Sequence, residues 1–374
     1  MPAPSIPFVG TRSHRVNGAV ADFFANHPDL ELGGVKGFAV ERRRHMDIFA
    51  LHKIHETKIN PIGEVEFTAI RGPHGTIPIR VLYPSSGQAR RLRGEAGALV
   101  YFHGGGYSVG SVDEFENGLR LVAEESGCQV ITLAISGGPE ARCSQAQVYA
   151  VDYRLAPEFR YPTQLDEYCA VIDWLYADGC RSRGVHPDRV AGGGDSVGGT
   201  MTAAICLRRL DQGKKALAAQ LLLYPEPRLP FDTPAAKENN YGYYLQCNGI
   251  FGFMDNYLPR PYGELWCIQV APLRQPLTST GPSPLDRYVS PGMQEAKDLL
   301  NQPPAAIFTN GFDPLRDVGI EYARKLGLAT VPVQWRHYND LAHGWLQMTA
   351  WSQAARNATA EVGMEVRRLL YGDK

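Results

Sequence analysis

The chain has 374 residues, of which 44% are hydrophobic, so it is long enough to bury a large core. Its formal net charge of −1 shows no electrostatic footprint for a nucleic acid or an anionic membrane surface. No stretch approaches the length of a membrane span, and the first residues lack the pattern of a signal peptide. The seven cysteines form no C-x-x-C pair, so we expect reduced, buried thiols and a cytoplasmic protein.

The first sixty residues lack a strand pattern and precede the predicted core. Apolar residues at helical spacing predict helices over 17–26 and 37–55. Residues 65–70 and 77–83 alternate in polarity around a Pro-His-Gly turn, which predicts an antiparallel hairpin. A continuous apolar run at 98–102 is typical of a strand buried on both faces.

From there to the end of the chain, predicted strands alternate with predicted helices. The helices are expected at 111–126, 165–177, 199–210, 317–326 and 345–370, and the strands at 148–153, 189–193, 219–224, 305–309 and 331–337. This alternation predicts an α/β fold with a mostly parallel sheet covered on both faces. Residues 228–260 are rich in Pro, Tyr, Phe and Asn, so we expect them to form a cap.

The pattern Gly-x-Ser-x-Gly at residues 194–198 lies between an apolar run and a predicted helix, the context that this motif requires. Ser196 would occupy a sharp turn that holds its hydroxyl at the edge of the sheet. Gly194 and Gly198 would let the strand and the helix approach each other. The start of the next helix would point N–H groups and a positive dipole end at the same place.

A serine hydroxyl is a weak nucleophile near neutral pH, so it needs a base and a third group that orients the base. Asp313 directly follows a predicted strand, and His343 lies between the last strand and the last helix. The chain order Ser, Asp, His matches a known nucleophile–acid–base arrangement. Asp317 is the alternative acid, but Asp313 is preferred because the residue at the strand end faces the crevice. Asp317 is expected to cap its helix or brace the loop.

Residues 103–106 read His-Gly-Gly-Gly and directly follow the buried strand at 98–102. Three glycines let the backbone curl and present N–H groups to a developing oxyanion, and the N–H of Val197 would complete the hole. A plain glycine-rich turn explains neither the histidine nor the position. A phosphate-binding loop is disfavoured because no Gly-Lys-Ser/Thr follows.

Five motifs in this order resemble the hormone-sensitive-lipase-like family of α/β-hydrolases. They are His-Gly-Gly-Gly at 103–106, Asp-Tyr-Arg-Leu-Ala-Pro-Glu at 152–158, Gly-Asp-Ser-Val-Gly-Gly at 194–199, Asp-Pro-Leu-Arg-Asp at 313–317 and His-Gly at 343–344. The resemblance covers about residues 60–370 and implies an eight-stranded, mostly parallel sheet with a helical cap. Residues 1–60 and about 228–260 would build the cap, and 61–374 would form the catalytic domain.

The same resemblance implies a serine esterase that needs no cofactor and acts on small esters with short to medium acyl chains. Ser196 would be the nucleophile, His343 the base and Asp313 the orienting acid. The oxyanion hole would consist of Gly105, Gly106 and Val197. An amidase, thioesterase or lactonase could use the same triad, because the pocket selects the leaving group. A non-catalytic ligand-binding member of the fold is disfavoured because all three triad residues are present.

Tyr107, next to the glycine loop, is a candidate for the substrate pocket. The cap aromatics Tyr241, Tyr243, Tyr244, Phe251 and Phe253 suggest an apolar acyl or alcohol pocket, although packing within the cap is their default interpretation. The sequence leaves the oligomeric state open, with a homodimer as one candidate.

Two segments, about 130–147 and 261–281, interrupt the family-like sequence. Deleting 130–147 joins the flanks into a continuous sequence through one strand, and the pair Gln-Val occurs at both ends of the segment. We therefore hypothesise that one or both segments are retained introns translated in frame. The alternative is a pair of ordinary surface insertions, but a long loop inside a central strand is unusual in a compact core.

Overall fold

The computed structural model describes residues 6–33, 37–127, 129–131, 149–229, 232–258 and 282–372. The strands within these residues are β1 Glu64–Gly72, β2 Gly75–Tyr83, β3 Ala96–Phe102, β4 Gln129–Ile131, β5 Tyr149–Val151, β6 Val185–Asp195, β7 Gln220–Leu223, β8 Ala305–Phe312 and β9 Val333–Ala342. The helices are α1 Gly18–Asn26, α2 Phe38–Phe49, α3 Gln88–Leu92, α4 Val112–Ser126, α5 Thr163–Trp174, α6 Cys180–Ser182, α7 Val197–Asp211, α8 Pro234–Glu238, α9 Cys247–Tyr257, α10 Arg316–Leu328 and α11 Gln353–Tyr371. None of these helices is both long enough and apolar enough to cross a membrane.

The strands form one sheet in the order β1, β2, β4 with β5, β3, β6, β7, β8, β9. The first two strands pair antiparallel as the predicted hairpin, and all pairs from β3 to β9 are parallel. Because β4 and β5 share one place between β2 and β3, the sheet has eight positions. The prediction of an eight-stranded, mostly parallel sheet is therefore confirmed.

Strands β4 and β5 are two pieces of one strand. Val130 pairs with Leu99 of β3 and Tyr149 pairs with Val100, the next residue of β3. On the other side, Ile131 and Ala150 pair with two adjacent residues of β2. Residues that are nineteen positions apart in the chain therefore pair with adjacent residues of the neighbouring strand, on both sides. The proposed insertion 130–147 falls in this interval; its residues 132–147 lie outside the described residues, as does all of 261–281.

The hydrophobic core is centred on β3, in which every residue is buried. Helix α4 packs against α11, and α5 packs against α7. Two predicted helix boundaries are wrong. The helix predicted over 37–55 ends at Phe49, because Ala50 has an extended ψ of 140°, and only a short 3-10 turn follows at Leu51–Lys53. Residues 345–348 also form a 3-10 turn, and α11 begins only at Gln353. The hydroxyl of Ser352 accepts a hydrogen bond from the N–H of Ala355, so a capping interaction starts the helix at this position.

Two sequence-distant pieces meet above the carboxyl ends of the strands. The N–H of Leu32, which follows α1, donates to the carbonyl of Tyr244 at 2.8 Å, and Leu32 pairs with Leu245. Helix α2 is tied to the sheet domain by Arg42, whose guanidinium donates to the carbonyls of Ser108 and Ala156 at 2.6 and 2.9 Å. The two pieces thus form a common layer over the sheet.

Candidate active site

Ser196 lies between the end of β6 and the start of α7, with φ 54° and ψ −125°. A positive φ is strained for a residue with a side chain, and the surrounding backbone must hold it in place. The N–H of Ser196 donates to the carbonyl of Leu223 at 2.8 Å. A Cβ on Gly198 would lie 1.9 Å from the carbonyl oxygen of Phe102, so only glycine allows this close approach of helix and strand.

Asp313 and His343 meet although thirty residues separate them. The Nδ1 of His343 donates to Oδ2 of Asp313 at 2.8 Å, and both side chains are buried. Oδ1 of Asp313 accepts from the N–H of Leu315 at 2.8 Å, and Oδ2 also accepts from the amide of Asn310 at 3.1 Å. These bonds fix the carboxylate and leave Nε2 of His343 without a hydrogen-bond partner among the described residues.

Asp317, the alternative acid, contacts other partners. Its carboxylate accepts from the N–H of Gly10 at 3.0 Å and from the N–H of Ala235 at 2.8 Å. It also forms an ion pair with Arg316. Asp317 therefore joins the N-terminal segment and α8 to the start of α10, in agreement with the bracing role expected from the sequence.

The glycine loop curls directly after β3, with φ 103° at Gly105 and φ 60° at Gly106. Sequence reasoning missed the residue that anchors it, Asp195, although this residue stands inside the Gly-x-Ser-x-Gly pattern. Oδ1 of Asp195 accepts from the N–H of Gly104 and from the hydroxyl of Tyr101, both at 2.9 Å. Burial raises the pKa of Asp195 to about 6. Because Asp195 directly precedes Ser196, its carboxylate ties the glycine loop to the turn that carries Ser196.

The ring of His103 supports the loop from below. It stacks on Tyr153 at a centroid distance of 4.5 Å and on Phe115 at 5.3 Å. Its Nδ1 donates to the carbonyl of Gly104 at 2.8 Å, and burial lowers its pKa to about 4. The ring is therefore neutral near pH 7 and is part of the packing of the loop.

Val197 is the first residue of α7, so its N–H has no acceptor within the helix, and its role in the oxyanion hole stays a prediction. Tyr107 lies elsewhere: its ring stacks on Tyr257 of α9 at 3.6 Å, and it does not line the cavity at Ser196. Among the cap aromatics, Tyr244 lines that cavity, whereas Tyr241 is 74% exposed. A pocket role for Tyr107 stays a prediction.

Ser196 lines a narrow cavity of about 10 Å³. The lining residues Gly105, Ser196 and His343, which follow strand ends, are here called the catalytic wall. The lining residues Leu32, His45 and Tyr244, which come from the layer over the sheet, are here called the cap wall. Glu114 and Gln347 also line the cavity. Sequence reasoning missed His45, Glu114 and Gln347, because no motif marks them.

The cap wall lies close to the loop that carries His343. A Cβ added to Gly344 would lie only 2.6 Å from the ring of Tyr244, so the ring packs directly against this glycine. The hydroxyl of Tyr244 donates a hydrogen bond to Oε1 of Gln347 at 3.3 Å. Tyr244 has a positive φ of 73°, a strained conformation for tyrosine. In α9, the ring of Phe253 lies over Gly106. The cap therefore contacts both the histidine loop and the glycine loop.

Comparison with known proteins agrees with this geometry. A family model described as alpha/beta hydrolase fold matches residues 99–146 and 140–347. Esterase LipI from Mycobacterium tuberculosis is 32% identical over 86% of this chain and 87% of its own length. Carboxylic ester hydrolase LipN from the same organism is 30% identical over 92% of this chain and 84% of its own length. This chain belongs to the α/β-hydrolase family that the sequence motifs indicate.

A solved structure shares the architecture over nearly the whole chain. It is a thermostable esterase from Pseudomonas putida, with a TM-score of 0.75 and 27% sequence identity. The match covers 96% of this chain and 98% of that one. The cap layer is thus included in the similarity, together with the sheet.

Proposed function

We propose that this protein hydrolyses carboxylic esters in two steps, with Ser196 as nucleophile, His343 as base and Asp313 as the orienting acid. The observation that carries the proposal is the buried bond from Nδ1 of His343 to Asp313. Because Nδ1 carries the proton of that bond, Nε2 is the basic nitrogen, and it belongs to the cavity that contains Ser196. The names of the esterase relatives support the same reaction.

In the first step, Oγ of Ser196 attacks the ester carbonyl while Nε2 of His343 takes the hydroxyl proton. The C–O bond to the alcohol breaks, and the alcohol leaves with that proton. In the second step, water attacks the acyl-enzyme, again with His343 as base, and the acid is released. The N–H groups of Gly105, Gly106 and Val197 would stabilise the oxyanion in both steps.

The free space at Ser196 is about the size needed for one water molecule. Any ester is larger, so Leu32 and Tyr244 of the cap wall have to shift as the substrate binds. A small starting cavity supports short to medium acyl chains. A panel of esters from C2 to C16 measures this preference.

Replacing Ser196 by alanine tests the mechanism. We expect Ser196→Ala to lower kcat on a short-chain nitrophenyl ester by about 10⁴-fold or more, because the attacking oxygen is lost. Ser126→Ala is the matched control: this buried hydroxyl donates to the carbonyl of Ala123, away from the cavity at Ser196. A serine-directed organophosphonate should add its mass to the wild-type chain and to the control but not to Ser196→Ala. Full activity of Ser196→Ala would refute the proposal.

We also propose that residues 1–60 and about 228–260 act as the cap, that the protein is cytoplasmic and that it forms a homodimer. The free, buried cysteines Cys169, Cys180, Cys206 and Cys247 support a reducing compartment. Strand β9 ends the sheet on one side and offers an edge to a second copy. Light scattering of the purified chain measures the oligomeric state, and a monomer mass would contradict the dimer.

A further inference from the structure

Two buried polar side chains on different elements line the cavity at Ser196 and are not used by the mechanism. His45 belongs to α2 of the cap, and Glu114 lies in the first turn of α4. His45 is 1% exposed and Glu114 is 3% exposed. Nε2 of His45 and Oε2 of Glu114 have no hydrogen-bond partner in the part of the chain that the structure describes. A buried polar atom without a hydrogen-bond partner is destabilising, so both atoms would gain from a ligand group.

The hydrogen bonding of His45 defines what its free nitrogen can accept. Nδ1 contacts the carbonyl oxygen of Glu41 at 2.8 Å, and a carbonyl can only accept, so Nδ1 carries the proton. Burial lowers the pKa of His45 to about 4, so the ring is neutral near pH 7. The Nε2 atom is therefore an unprotonated acceptor that can bind an O–H or N–H donor of a ligand.

Glu114 supplies the complementary group. The hydroxyl of Ser111 donates to Oε1 at 3.2 Å and leaves Oε2 available. Burial raises the pKa of Glu114 well above its ordinary value, and the nearby Asp152 adds to the rise. A protonated Oε2 donates a hydrogen bond. Burial thus favours the uncharged acid at Glu114, so the cavity would offer an acceptor at His45 and a donor at Glu114.

The cap positions His45 rigidly. Arg42, one helical turn before His45, donates to the carbonyls of Ser108 and Ala156 and pairs with Glu158 at 2.7 Å. The ring of His45 also lies 5.7 Å from that of Tyr244 and 6.1 Å from that of Phe49. A preorganised polar group loses little entropy on binding and can discriminate between ligands.

We propose that His45 and Glu114 form a hydroxyl-binding subsite, so that the preferred substrates are esters with a hydroxyl group on their acyl or alcohol part. A hydroxyl donates to Nε2 of His45 and accepts from Oε2 of Glu114 through a single oxygen. Its size matches a cavity that holds one water-sized group. A carboxylate or an ammonium group fits less well, because neither neutral partner offsets a buried charge. This inference rests on the ester hydrolysis proposed above.

Matched substrate pairs test the subsite on the full chain. Comparing ethyl butanoate with ethyl 3-hydroxybutanoate tests a hydroxyl group on the acyl part. Comparing ethyl butanoate with 2-hydroxyethyl butanoate tests a hydroxyl group on the alcohol part. Acid release in a pH-stat gives kcat/KM for each. We expect at least one hydroxylated ester to be preferred about tenfold or more.

His45→Phe keeps an aromatic ring against Tyr244 and Phe49 but removes the acceptor, so we expect it to lower the preference ratio to about one. Glu114→Met removes the donor from another element and should lower the same ratio, which keeps the test valid if one variant fails to fold. His27→Phe is the matched control, because the ring of His27 contacts that of Phe23 in a tilted arrangement at 4.8 Å and does not line the cavity. Its ratio should equal that of the wild type.

Two outcomes overturn the subsite: a wild-type ratio near one in both pairs, or a ratio that survives in both His45→Phe and Glu114→Met. Failure of the underlying reaction looks different. In that case plain ethyl butanoate is not hydrolysed by the wild type, or Ser196→Ala hydrolyses it equally well. The two hypotheses can therefore fail separately.

Discussion

The catalytic wall and the cap wall line one narrow cavity, but the chain specifies them in different ways. The residues of the catalytic wall follow strand ends of one sheet, and each belongs to a recognisable motif. The residues of the cap wall come from two segments about 200 positions apart, joined by the Leu32–Leu245 bridge, and no motif marks them. The difference teaches that local motifs mark the residues proposed for the reaction, whereas the residues proposed for selectivity come together only when distant segments pack.

The largest effect is expected from Asp313, which supports the catalytic wall. Asp313→Asn should lower kcat by about 10⁴-fold, because an amide no longer enforces the imidazole tautomer that leaves Nε2 basic. Steady-state kinetics on a short-chain ester measures the loss.

Asp317→Asn is the matched control for this change, since Asp317 braces Gly10 and Ala235 instead of the histidine. It should lower the melting temperature and leave kcat within a few-fold of the wild type. If Asp317→Asn abolished turnover while Asp313→Asn kept it, the assignment of the acid would be wrong.

An intermediate effect is expected where the cap touches the glycine loop. A Cβ on Gly106 would lie 2.2 Å from the ring of Phe253, and the φ of 60° adds about 1–2 kcal/mol of strain for alanine. Gly106→Ala should therefore lower kcat/KM by at least tenfold as the loop shifts. The double variant Gly106→Ala/Phe253→Ala should recover the part of the loss that comes from the clash.

Gly213→Ala separates backbone strain from the clash. Gly213 has nearly the same φ, 62°, but a Cβ on this residue would have no atom of the described residues within 4 Å, and Gly213 is remote from the cavity. This variant should lose some thermal stability and keep its kcat/KM. A double variant no more active than Gly106→Ala alone would show that the cap does not press on the loop.

The smallest effect is expected from a change that removes no residue of either wall. Deleting residues 130–147 would place Val148 directly after Gln129, and the ladders of β2 and β3 would then run through one uninterrupted strand. Removing a long loop also lowers the entropy cost of folding. We expect kcat within about twofold of the wild type and an equal or higher melting temperature.

Failure of this deletion variant to fold would show that the segment belongs to the core. The family match supports the opposite expectation, since it divides into two pieces that meet at residues 140–146. Sequencing the transcript across this joint and across residues 261–281 tests the retained-intron hypothesis. Messages that keep both segments would contradict it.

Much of the fold was predictable, because the hydrophobic pattern of strands such as β3 depends only on local periodicity and burial. This pattern correctly predicted the hairpin of β1 and β2, and the resemblance to the family correctly implied the eight positions of the sheet. The end of the chain was not correctly predicted: helical periodicity continues through residues 345–348, while the turn and the cap at Ser352 separate them from α11. The periodicity of apolar residues indicates which face of a helix is buried, but it does not indicate where a capping hydrogen bond begins a new helix.

For the site, the sequence by itself determined the residue types and chain order of Ser196, Asp313 and His343, and the glycines that the sharp turns require. These follow from local backbone geometry and from the chemistry of a serine nucleophile. Only the tertiary structure decided that Asp313 and not Asp317 bonds to His343, that Asp195 holds the glycine loop, and that His45 lines the same cavity as Ser196. Such contacts join residues far apart in the chain, and their distances depend on how the cap and the sheet pack together.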